Sequence, residues 1–144
     1  MDNFRGDLSY FLRLLVRLNG VPIDHGRRLI DQFMATPFGQ KISTDCATNF
    51  LGELPAETRV VIMFGLGTGN SYVTTARKAI EKARPGVWRT VNEVAYTDGK
   101  ITVVHVEHFA SQGANIPDWL GQNDHPRAKL GLLARAAVQQ KLLA

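Results

Sequence analysis

One short apolar run sets the strongest limit on the fold of this chain. Arg59-Val60-Val61-Ile62-Met63-Phe64 is continuous and rich in β-branched residues, which predicts a central strand covered on both faces. Three glycines follow at once in Gly65-Leu66-Gly67-Thr68-Gly69-Asn70, and Ser71 then caps a predicted helix from about Tyr72 to Ala83. A strand, a glycine turn and a helix in this order predict an α/β fold.

A β-hairpin is the second sign of a sheet. Residues 88–96 and 100–108 are predicted to be strands, joined by Thr97-Asp98-Gly99, because an Asp-Gly pair supplies the positive φ angles of a tight hairpin. Together with the first run, the hairpin predicts a small sheet of one central strand plus a β-hairpin, flanked by helices.

The remaining segments are predicted to be helical, within one domain over residues 1–144. A helical N-terminal part covers 1–43: a leucine-rich first helix, then a second from about Asp24 to Met34 that Thr36-Pro37-Phe38-Gly39 ends. A third helix, capped at 43–45, places Cys46 and Phe50 on a buried face, and a last helix follows Pro126. The first helix carries Leu8, Phe11, Leu12, Leu15 and Leu18 at helical spacing.

Composition indicates the cellular compartment in which the protein is expected. The longest apolar run, Val60 to Leu66, is too short to cross a bilayer, and Met1-Asp2-Asn3 begins no secretory signal. A single cysteine allows no internal disulfide. We therefore expect a cytoplasmic protein without a membrane contact.

The positive charge of the chain, +4 overall, lies in two segments. Residues 68–90 carry five basic side chains against one acidic, and residues 125–144 carry four basic side chains against none. If the two segments lie on the same face of the protein, they would contact phosphates. The alternative is that each is the solvated face of a helix. In the first segment, the candidate phosphate contacts are Arg77, Lys78 and Lys82.

The glycine turn is the first candidate site. Gly65, Gly67 and Gly69 let backbone N–H groups face a phosphate or a base, and the following helix adds a partial positive charge. A dinucleotide fingerprint requires glycine where Asn70 stands, and the Gly-Lys-Ser/Thr of a P-loop is missing. The pattern therefore favours a tight strand-to-helix turn over a cofactor site, and we expect no cofactor.

The second candidate site lies where the hairpin ends. His105 and His108 point to opposite faces of a strand, so they do not share a metal, and no metal is expected. His105 is predicted to be a satisfied structural residue, whereas His108 is a candidate for function and for structure alike. The polar side chains that follow it, suited to phosphate oxygens or a base edge, are Ser111, Gln112 and Asn115.

The order of these parts resembles the C-terminal half of the uracil-DNA glycosylase superfamily, over about residues 44–143. The resemblance rests on the run 45–54, then 59–65, a helix, the Asp98-Gly99 hairpin and His108-Phe109-Ala110-Ser111. It implies that His108 hydrogen-bonds the pyrimidine and stabilises the leaving base anion, that Ser111 holds a DNA phosphate, and that residues 112–116 enter the minor groove. Two features depart from the family pattern. Phe109-Ala110 replaces a single proline, and the first motif, which carries the water-activating Asp or Asn, is missing from the chain.

The resemblance implies a DNA glycosylase-like domain of DNA repair that contacts DNA and excises uracil or a related base by N-glycosidic hydrolysis. Because the water-activating motif is missing, catalysis stays open. The chain is expected to be incomplete or inactive as it stands, and the remaining interpretation is a divergent enzyme that uses an unidentified carboxylate. One alternative is a protein-interaction or assembly module that forms a homo-oligomer through the leucine-rich first helix. Another is a nucleotide-binding domain that uses residues 65–71.

Overall fold

The computed structural model describes residues 29–67, 69, 71–108 and 115–144. The predicted first helix, Asn70, Ser111 and Gln112 lie outside this part of the chain. The α/β class is confirmed, with a small sheet flanked by helices. In chain order the elements are α1 (Leu29–Ala35), α2 (Pro37–Leu51), β1 (Val60–Phe64), α3 (Ser71–Ala83), β2 (Arg89–Asn92), β3 (Ala95–Thr97), β4 (Thr102–Val106), α4 (Ile116–Trp119) and α5 (Arg127–Leu143).

The sheet has the strand order β1-β4-β3-β2, with β1 parallel to β4 and the remaining pairs antiparallel. The predicted central position of β1 is therefore wrong, because β1 lies at the edge and β4 lies between β1 and β3. Ile62 and Phe64 on one face of β1 are 42% and 51% exposed. An unbroken apolar run predicts a strand. It does not predict whether that strand has a neighbour on both sides or lies at the edge of the sheet.

The hairpin forms as predicted around Asp98-Gly99. Gly99 has a φ of 91°, and one carboxylate oxygen of Asp98 accepts hydrogen bonds from the backbone N–H groups of Lys100 and Ile101, at 2.9 and 2.8 Å. The predicted first strand is divided in two by a turn at residues 93–94, where Asn92 Oδ1 accepts from Val94 N–H at 3.0 Å. The sheet therefore gains a short outer strand, β2.

The start of α2 corrects a prediction. Thr36-Pro37-Phe38-Gly39 begins this helix instead of only ending the previous one: Thr36 Oγ1 caps Gly39 N–H at 3.0 Å, and Pro37 occupies the first turn. Cys46 in this helix is exposed, contrary to the predicted burial, and Ala47 faces the core instead. Phe50, also predicted to be buried, is 74% exposed.

The core lies between the sheet and the helices α3 and α5. Its best-buried side chains come from β3 and β4, and α3 and α5 add small and β-branched residues. Trp119 packs against this core from α4. Within the described ranges, no helix is both long and apolar enough to cross a membrane. The largest fully buried side chains are Tyr96, Ile80, Ile101, His105, Val94, Val103, Val104 and Thr36.

Candidate functional site at the carboxyl edge of the sheet

Two connections leave the sheet at the same edge. Because β1 and β4 are parallel and Phe64 pairs with Val106, both strands end side by side. The glycine turn follows β1, and His108 follows β4 two residues after its end. Ligands of open α/β sheets bind beyond the carboxyl ends of parallel strands, so this edge is the first place to examine.

The glycine turn has a backbone that requires glycine. Gly65, Gly67 and Gly69 have φ angles of 113°, 74° and 57°, in the region that other residues rarely adopt. A Cβ atom on Gly67 would lie 2.5 Å from Ser71 Oγ and 2.7 Å from Tyr72 N. The backbone N–H of Gly65 donates to Val106 O at 2.8 Å, which fastens the turn to β4. These contacts favour the prediction of a tight strand-to-helix turn.

His105 is fully buried behind this turn, and both of its ring nitrogens are hydrogen-bonded. Nδ1 lies 3.1 Å from Gly65 O, and Nε2 lies 3.2 Å from Tyr96 Oη. A carbonyl oxygen only accepts, so Nδ1 carries the proton, and Nε2 accepts from the Tyr96 hydroxyl. The prediction that His105 is a satisfied structural residue is confirmed.

Burial controls the ionisation of this pair. Desolvation lowers the pKa of His105, and the hydrogen bond to Gly65 opposes that shift only in part. Desolvation likewise raises the pKa of Tyr96, although the nearby Arg77 guanidinium acts in the opposite direction. The imidazole and the phenol are therefore both neutral at physiological pH, and together they form a rigid support beneath the turn.

His108 is exposed and lies at the open side of the same edge. Its ring centroid is 6.1 Å from that of Phe64, at an interplanar angle of 75°. His105 and His108 are thus in different surroundings, one inside the core and one at the surface. In the part of the chain with described positions, no group of three or more His, Cys, Asp or Glu is placed to hold a metal ion.

A cleft of about 740 Å³ opens beside the turn, between the α1–α2 pair and α3. Phe64, Gly65 and Gly67 form the end of the cleft nearest the sheet. The α3 wall includes Ser71, Tyr72, Thr75, Lys78 and Lys82, and the α1–α2 wall includes Met34, Gln40, Ser43 and Thr44.

The three predicted basic residues of α3 have different surroundings. Arg77 is engaged within the protein: its guanidinium donates to Glu81 at 2.6 Å and to Thr90 Oγ1 at 2.7 Å, and lies 5.3 Å from the centroid of the Tyr96 ring. Lys78 and Lys82 are exposed and line the cleft. Of the three, the two lysines are therefore better placed to contact a ligand.

Of the predicted polar loop, the structure locates Asn115, which is half-buried before α4 and whose backbone oxygen accepts from Trp119 N–H at 3.0 Å. Sequence reasoning missed Phe64 and Tyr72 as site residues, and it also missed the whole α1–α2 wall. The helical spacing of Ser71, Thr75, Lys78 and Lys82 was a signal that could have revealed the α3 wall. The opposite wall carries no such signal, because only the tertiary packing brings α2 to α3.

No protein-family model, curated protein or solved structure matches this chain.

Proposed function

We propose that this chain is a DNA glycosylase-like domain that contacts DNA and excises uracil, or a related base, by hydrolysis of the N-glycosidic bond. One observation carries the proposal: the exposed His108 ring lies against Phe64 at the edge of the sheet where the glycine turn begins. An imidazole and an aromatic ring side by side can hydrogen-bond the edge of an unstacked base and stack on its face.

The chemistry assigns a role to each of these groups. In the hydrolysis, water forms the new bond to the sugar carbon as the glycosidic bond breaks, and the proton that the water loses ends on the departing base. The pyrimidine leaves with a negative charge, which an imidazole N–H donor at the base oxygen stabilises until the proton arrives. The face of Phe64, half exposed, offers a stacking surface for the base. Lys78 and Lys82, on the neighbouring helix, supply positive charge for the phosphates of the strand that carries the unstacked base.

The test is an excision assay on uracil-containing oligonucleotides, single-stranded and double-stranded, with alkaline cleavage of the abasic product. We expect excision by the unaltered protein, and a loss of about 10²- to 10³-fold in His108→Ala, the size of effect seen when a donor to a developing charge is removed. Binding of DNA without uracil is expected to change by no more than about twofold, because phosphate contacts supply most of it.

His125→Ala is the matched control. His125 is also exposed, in the connection between α4 and α5, and its Nδ1 accepts from Arg127 N–H at 3.2 Å. This variant is expected to excise uracil at the normal rate. Full activity of the His108→Ala variant would refute the role of His108, and an unaltered protein that neither binds DNA nor excises uracil would refute the proposed function.

A further inference from the structure

The cleft between α2 and α3 begins at the edge described above and leads away from it. Phe64 lines its end at the sheet, and Lys82 lies near the opposite end of α3. Lys82 follows Ser71 by eleven residues, so the α3 wall is about 16 Å long at a rise of 1.5 Å per residue. The cleft is therefore elongated and continuous with the His108–Phe64 pair.

The two walls of the cleft offer different chemistry. On α3, Lys78 and Lys82 present ammonium groups, which donate hydrogen bonds. On α2, the hydroxyls of Ser43 and Thr44 donate to the carbonyls of Gly39 and Gln40, at 3.0 and 2.9 Å. Their oxygen lone pairs remain available as acceptors. One wall thus suits phosphate oxygens, and the other suits the N–H groups of bases.

One acidic side chain, Glu81, lines the cleft beside the two lysines, and its carboxylate is paired with Arg77 at 2.6 Å. Among the described residues, neither lysine has an ion-pair partner. Lys78 and Lys82 are four residues apart on a helix, and like charges at this spacing repel each other. An anion between them removes that repulsion.

The dimensions of the cleft favour a single strand of nucleic acid over a duplex. Its volume of about 740 Å³ lies in the range of pockets that hold one ligand of moderate size, and it is bounded by helices on both sides. We infer that it holds a single strand of nucleic acid, with backbone phosphates on Lys78 and Lys82 and bases toward α2, next to the base held at His108. This inference rests on the proposed function.

The experiment measures binding of a fluorescent oligothymidylate of about 12 nucleotides, and of its duplex, by anisotropy over a range of salt concentrations. Removing both ammonium groups in Lys78→Ala/Lys82→Ala is expected to lower the slope of log affinity against log salt by about 1.4 for the single strand. Between about 1 M and 0.1 M salt, a slope change of about 1.4 corresponds to a gain in affinity that is smaller by a factor of about 25. Duplex binding is expected to change by no more than about twofold, because the duplex does not enter the cleft.

The matched control removes the same charge elsewhere. Lys100 and Arg135 are exposed and lie outside the cleft, so Lys100→Ala/Arg135→Ala is expected to change single-strand binding by no more than about threefold. Thr75→Trp keeps both lysines but fills the cleft, and it is expected to abolish the preference for the single strand. Circular dichroism establishes that each variant is folded.

The outcomes separate the two proposals. If the Lys78→Ala/Lys82→Ala variant binds the single strand as the control variant does, or loses duplex binding equally, the strand does not lie in the cleft. Uracil excision that depends on His108 would then still support the proposed function. If the unaltered protein binds neither form of DNA at low salt, the proposed function and this inference both fail.

Discussion

The two histidines of β4 and its extension differ more than any other neighbours in the site. His105 is fully buried and donates and accepts one hydrogen bond each, whereas His108, three residues later, is exposed beside Phe64. The burial of His105 and the exposure of His108 both follow from their positions relative to β4. His105 lies within β4, between β1 and β3, and His108 lies beyond the last paired residue, Val106.

This comparison separates the support of the site from the groups that a ligand would contact. On the buried side, His105 hydrogen-bonds Gly65 O. His105 is itself positioned by the hydroxyl of Tyr96 and by the packed ring of Tyr72. The open side offers a ring and an imidazole. Substitutions on the buried side should therefore act first on stability, and substitutions on the open side should act on binding and chemistry.

His105→Ala should have the largest effect on stability. It removes a fully buried ring and leaves both Gly65 O and the Tyr96 hydroxyl without their partner, which predicts a loss of about 3 to 5 kcal/mol in the free energy of unfolding. Urea denaturation followed by circular dichroism measures this loss. His105→Asn retains an N–H donor near Gly65 and should lose about 2 kcal/mol.

His108→Ala is the control for this comparison, with an expected change within about 0.5 kcal/mol because the side chain is exposed. Equal losses at His105 and His108 would contradict the division between a buried support and an open site.

Tyr96→Phe should have the next largest effect. It keeps the ring under Arg77 but removes the hydroxyl that donates to His105 Nε2, so a buried acceptor loses its partner. The expected loss is about 1 to 3 kcal/mol, measured in the same way. Tyr72→Phe is the matched control, because Tyr72 contacts His105 through its ring and not through its hydroxyl, and it should change stability by less than about 0.5 kcal/mol. A Tyr96→Phe variant as stable as the control would show that the hydrogen bond contributes nothing.

Part of this division was predictable from the sequence. Alternation along a strand places His105 and His108 on opposite faces, and the Asp98-Gly99 pair fixes the hairpin that carries them. The edge position of β1 was not predictable, because its apolar run is equally compatible with the middle of a sheet. The start of α2 was missed because Pro37 was interpreted as the end of one helix, although proline is equally suited to the first turn of the next. The cleft depends on how α2 packs on α3, which no local pattern specifies.

The smallest expected effect is a pH dependence that arises from His105 alone. Burial lowers the pKa of His105 in the folded protein below its ordinary value of 6.5, so the unfolded chain binds a proton at a higher pH than the folded one. Stability contributed by the neutral ring is therefore complete above pH 6.5 and falls as the pH decreases toward the folded-state pKa. Between about pH 6.5 and pH 5.5, the free energy of unfolding should therefore decrease as the pH falls. Urea denaturation across this interval should show the decrease in the unaltered protein and in His108→Ala, but not in His105→Asn. A pH dependence that survives in His105→Asn would assign the titration to another group and would remove His105 as the neutral support of the turn.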